Sequence, residues 1–156
     1  MIRSMGLLAS AVSLVLLLAG CGDGSTQPSQ VMGTYAAIQA NGSSLPTSIL
    51  TFPSGDAIRL IQGSLSVRAP DTLLLALRTQ YVDPSGVAGD PGSDTTWALY
   101  QRVGSTLELS ALASRPLEIE SPATAASAGS IQLTVLRRLP ASAGFGTYPV
   151  ALLLRR

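Results

Sequence analysis

The side chains that carry most enzyme chemistry are scarce in this chain. It has no histidine and no lysine, all of its basic residues are arginine, and its one cysteine is Cys21. A Ser-His-Asp triad, a Cys-His pair, a Ser-Lys dyad and a Schiff-base lysine each need a base or an amine that is missing. Zinc, copper and iron sites built on His or Cys fall with them. No glycine-rich phosphate loop follows a strand and opens a helix, so no cofactor is expected and no catalytic residue is assigned.

Carboxylate and oxygen-ligand chemistry survive this exclusion. Glu118 and Glu120 lie two apart and share one face of a strand, with Glu108 on the strand before. Such a pair serves as acid and base in glycoside hydrolysis, but it equally forms the solvent face of a strand that buries Leu117 and Ile119. The loop from Asp83 to Asp94 gathers Asp83, Asp90 and Asp94 among Pro, Gly and Ser. These are oxygen donors of the kind calcium takes, in a spacing that is not the EF-hand order and among ordinary turn makers. Arg137-Arg138 and Arg155-Arg156 are consecutive, so on a strand each pair splits between two faces and is expected to be solvated at strand ends. Trp97, Tyr100, Tyr35 and Tyr81 are the candidates for lining an apolar cavity; otherwise they are plain core.

Cys21 stands in the sequence Leu18-Ala19-Gly20-Cys21. Before it come one basic residue, Arg3, and an apolar run from Gly6 to Ala19. As a helix that run spans about 21 Å, short of the ~30 Å hydrocarbon core of a bilayer, which reads as a cleaved signal. The tetrapeptide resembles the lipobox of bacterial lipoproteins. That resemblance implies cleavage between Gly20 and Cys21, acylation of the Cys21 thiol with diacylglycerol and a further fatty acid such as palmitate, and attachment to the cell envelope. Two or three acyl chains make a stable anchor where one does not. Gly22 follows the cysteine in place of the aspartate of inner-membrane retention signals, so the outer membrane is expected if the host has two. The alternative is an ordinary secretory signal, which would leave Cys21 an unpaired thiol.

The expected organisation is therefore a signal peptide over 1–20, a lipidated flexible tether over 21–32, and one domain over 33–156. Arg3 lies in the leader, so nine arginines face nine acidic residues from Cys21 onward. That balance gives no electrostatic footprint for nucleic acid. The expected partners are the membrane, through the lipid, and an envelope protein or polymer.

Period-two alternation runs from Thr34 almost to the C-terminus, cut by turn signals at Asn41-Gly42, Pro53-Ser54-Gly55, Ala69-Pro70-Asp71 and Gly104-Ser105. Gly63 breaks the alternation of 57–68 and marks a bulge or bend. Leu73, Leu75, Leu77 and Tyr81 fall on one face of 72–82. Trp97 lies in a strand over 95–103 and is expected to report on the interior or on a cavity wall. Small residues over 121–130 read as a loop. Eight or nine short strands without an amphipathic helix indicate an all-β domain: a small antiparallel meander closed as a barrel, or folded as a sandwich. Gly33-Thr34-Tyr35, Asn41-Gly42 and Leu45-Pro46 resemble the first hairpin of lipocalin-like bacterial lipoproteins, which implies a barrel. The tryptophan and the later arginine pattern of true lipocalins are missing. Leu73, Leu75, Leu77, Leu107, Leu109 and Leu133 supply the bulk to fill a small barrel. Interaction or structural support at the envelope is thus the leading expectation, and a carrier of a small apolar ligand the alternative.

Overall fold

Alternating β-branched and leucine residues form strands throughout the computed structural model, which describes residues 31–111, 117–120, 123–126, 129–138 and 146–156. The signal sequence, Gly20, Cys21 and most of the tether lie outside these residues. The strands are β1 (Gly33–Ala40), β2 (Ser43–Ser44), β3 (Thr47–Thr51), β4 (Ala57–Arg68), β5 (Thr72–Val82), β6 (Gly92–Val103), β7 (Thr106–Ala111), β8 (Leu117–Ile119), β9 (Ala123–Ala126), β10 (Ser130–Arg138) and β11 (Thr147–Arg155). The leucine-rich run at 72–82 is a strand and not a helix.

From β4 onward the chain is an antiparallel meander, and β1 closes it by pairing with β11 on one edge and with β4 on the other. Strands β8 and β9 lie end to end along the same edge of β10 and act as one interrupted strand. The result is a closed antiparallel barrel of eight strands, with β2 and β3 as extra pieces beside β1 and β4. Closure removes the exposed edges that an open sheet would carry.

Two bulges tune the wall. Ile61 is the extra residue between Leu60 and Gln62 on β4, and Ile38 is the extra residue between Ala37 and Gln39 on β1. Each flips the alternation, so Leu60 faces inward before one bulge and Gly63, Leu65 and Val67 after it. The expected break at Gly63 thus falls two residues earlier. Gly63 does something else: a Cβ there would sit 2.9 Å from the Ala37 Cβ and 3.0 Å from Leu77 Cδ2. Its lack of a side chain lets β1 approach β4.

At the first hairpin, Asn41 (φ 49°) and Gly42 (φ 80°) take the left-handed conformations of a tight turn. The Asn41 backbone N–H donates to the Ala151 carbonyl at 2.8 Å, and its side-chain oxygen accepts the Ala151 N–H at 2.9 Å, which extends the β1–β11 ladder.

Inward side chains of all eight barrel strands meet in one core. Tyr35, Leu60, Leu65, Leu73, Leu75, Leu77, Leu107, Ile131, Val135, Val150 and Leu154 are fully buried. The lower end, where the chain enters, is plugged. Val31 is buried and accepts the Tyr35 hydroxyl at 2.7 Å. The Arg156 guanidinium lies 5.6 Å from the centre of the Tyr35 ring. Val31, which precedes β1, thus packs with the barrel core.

Candidate functional site

The upper end, opposite Val31, carries the polar interior. Alternation along β6 points Asp94 inward above Thr96 and Ala98, alternation along β10 points Arg137 inward after Val135, and β11 contributes Tyr148 before Val150. Arg137 and Tyr148 are direct cross-strand partners. Arg137 Nη2 donates to Asp94 Oδ2 at 2.5 Å, with side-chain exposures of 17% and 27%. This ion pair joins two strands that share no hydrogen bonds of their own. Tyr148 is 9% exposed. Its hydroxyl and Arg137 Nη1 are both buried, and neither has a hydrogen-bond partner beyond the other. Burial raises the Tyr148 pKa above its ordinary value, Arg137 opposes that rise, and Asp94 adds to it. The phenol therefore stays protonated and can donate.

The expected metal site takes another form. Asp94 sits inside β6 and not at the end of a loop, committed to Arg137. Asp83 Oδ1 accepts the Ser85 backbone N–H, the Ser85 hydroxyl and the Val87 N–H at 2.7–2.9 Å, so its carboxylate organises its own turn. Those bonds, the Ser85 hydroxyl first, hold the Asp83 carboxyl below its usual range. Asp90 is exposed. Among the described residues no three His, Cys, Asp or Glu side chains form a metal-holding group.

The four aromatic candidates do not share a cavity. Tyr35 is core at the lower end, and Tyr100 is half-buried against the core. Tyr81 is 50% exposed at the upper lip, where the alternation runs out of barrel, and its hydroxyl donates to Asp56 Oδ1. Trp97 is 42% exposed on the outer wall beside its cross-strand partner Leu74. Its neighbours Thr96 and Ala98 face in, opposite Leu75 and Leu73, because the wall needs small inward side chains across from those leucines. The expectation that Trp97 reports on the interior is thus corrected. Glu108, Glu118 and Glu120 are exposed, as a solvent face requires. Arg138, Arg155 and Arg156 are exposed too, but Arg137 points inward and is not a solvated strand end.

Two depressions formed by described residues lie on the outer wall. One of about 380 Å³ crosses β1, β11, β10 and β9 at Gln39, Thr124, Gln132 and Thr134. The other, about 180 Å³, lies by Gln62, Arg78 and Ser93. Sequence reasoning missed Tyr148 and the inward Arg137. The available signal was the inward parity that both share with the apolar residues of their strands. No family model, curated protein or solved structure matches the chain.

Proposed function

We propose that this protein is a lipid-anchored envelope protein, tethered through Cys21, whose barrel acts without catalysis in contacts or support at the membrane surface. The anchor rests on the charge, apolar run and small residues that precede Cys21 in lipobox order. The observation that carries the role is the packed interior: eleven large side chains near zero exposure occupy it from lower end to upper layers. An eight-stranded barrel is just wide enough to be filled in this way. A filled barrel offers partners its wall and its far end. The chain enters at the plugged end beside Val31, so a tether there directs the Asp94–Arg137 end away from the lipid. Partners are an envelope protein or polymer. The outer membrane is favoured in a two-membrane host.

Mass spectrometry of protein extracted from envelopes tests the anchor. Residues 1–20 should be missing and Cys21 should carry two or three acyl chains; an intact leader or a free thiol refutes it. Organic extraction of the same sample tests the role. Recovery of a stoichiometric apolar molecule from the barrel would replace the contact role with that of a carrier.

A further inference from the structure

We propose that the depression on the outer wall across β1, β11, β10 and β9 binds a neutral saccharide. Strand register builds it. Gln39, Leu153, Gln132 and Thr124 are successive cross-strand partners and form one row over the four strands. Their neighbours Ala40, Leu152, Leu133 and Ala123 are core, so the row itself faces outward. In the next row Thr134 stands opposite Ala151. All six residues border a space of about 380 Å³, within the range of about 300–1,000 Å³ found for small-molecule sites. Ala151 carries only a methyl, so the wall dips there between longer side chains. The two bonds between Asn41 and Ala151 fix the β1 hairpin beside it.

The lining selects the chemistry of the ligand. Two amides and two hydroxyls border the space, and each of these groups can both donate and accept. Among the described residues none of the four side chains is engaged in a hydrogen bond, so all are available. No charged side chain of the described residues lines the depression. An acid or an ammonium group would give up hydration there without a counterion. A purely apolar molecule would cover four polar groups and satisfy none of them. A peptide strand finds no edge to join, because β1, β11, β10 and β9 are each paired on both sides. The remaining class is a neutral molecule rich in hydroxyls, with an apolar face to lie on Ala151 and Leu153, which describes a sugar ring. The proposal deepens the contact role given above and rests on it only in making the polymer partner a glycan. A soluble sugar tests the site by itself, and failure there leaves the contact role to a protein partner.

The test uses the full chain, labelled with ¹⁵N in its glutamine side chains, in micelles of a zwitterionic detergent that has no sugar headgroup. The probe is N,N′-diacetylchitobiose, which offers both hydroxyls and acetamido groups. Gln39→Ala and Gln132→Ala identify the two signals by their loss. The disaccharide should shift the Gln39 and Gln132 signals saturably with one shared dissociation constant, and leave Gln80 and Gln101 in place. In Gln132→Ala the Gln39 response should need about five- to tenfold more disaccharide, the worth of one hydrogen bond. Ala151→Phe substitutes an exposed strand position with a residue that strands favour. It should fill the depression and abolish both shifts while the other glutamine signals keep their folded positions. The deacetylated, doubly cationic disaccharide should bind more weakly than the neutral one. Absence of a saturable shift overturns the proposal. So does undiminished binding in folded Ala151→Phe, or tighter binding of the dication.

Discussion

At the upper lip of the barrel the Asp56 carboxylate accepts the hydroxyls of Ser54 and Tyr81, which ties the β3–β4 turn to the end of β5. Those bonds, Ser54 first, hold the Asp56 carboxyl below its ordinary value of 3.8. The same contact is the main reason the Tyr81 pKa lies above 10.0. A carboxyl depressed by folding contributes stability that is full above its unfolded value and is lost as pH falls through the folded one. A phenol raised by folding contributes below its unfolded value and loses that contribution as pH rises through the folded one. The melting temperature should therefore be flat between about pH 5 and pH 9 and decline on both sides. Asp56→Ala should soften the acid decline, measured by calorimetry across pH; an unchanged acid limb would assign that decline to other groups. In the interior, Asp94→Ala leaves the Arg137 guanidinium without its counterion. For a fully buried pair that costs about 3–5 kcal/mol. With part of each side chain in water, about 1–3 kcal/mol is expected in urea melts. This pair was illegible from spacing, since its members stand 43 residues apart and only barrel closure brings them together.

Along the elements, alternation located most strands, because a wall with one buried face must repeat every two residues. It failed where side-chain size and burial part company. In β6 the inward residues Thr96 and Ala98 are small and the outward Trp97 and Leu99 are large, so a hydrophobic reading of that strand inverts its faces. Strand β9 is Ala-Thr-Ala-Ala, too poor in β-formers to stand out from a loop; it is held by β10 and β7 on either side. An irregularity near Gly63 was legible, but neither its place at Ile61 nor the reason for the glycine was, because Ala37 meets Gly63 only after β1 has closed the barrel. That contact yields a prediction at this scale. Gly63→Ala places a methyl 2.9 Å from the Ala37 Cβ and 3.0 Å from Leu77 Cδ2, and overpacking of this kind costs about 1–3 kcal/mol. Ala37→Gly removes one of the two obstacles. The double mutant should therefore recover part of the loss, and equilibrium unfolding of the four species reads the coupling directly. Strict additivity would mean that the strands separate to admit the methyl.

For the molecule as a whole, stability rests on a wall that closes on itself around one shared core, so damage at one inward position should reach every strand. Leu75 shows this most clearly. It is fully buried, pairs with Leu65 on one side and Thr96 on the other, and lies in the same cross-barrel row as Tyr35. Leu75→Asp buries a carboxylate with no counterion in the fully apolar part of that row. The cost is several kcal/mol, against a total stability of about 5–15 kcal/mol for a domain of this class. Glu118 lies on the exposed face of β8, where a change to alanine typically stays within about ±0.5 kcal/mol. Far-ultraviolet circular dichroism of the native chain should show a single β minimum. Leu75→Asp should abolish cooperative melting of that signal, while Glu118→Ala leaves its midpoint in place. Because no carboxylate group among the described residues is arranged to hold a metal, EDTA should move neither the native nor the Glu118→Ala midpoint. Equal losses in the two mutants would reverse the inward and outward faces assigned here, and with them the burial of Arg137 and Tyr148 that rests on the same alternation.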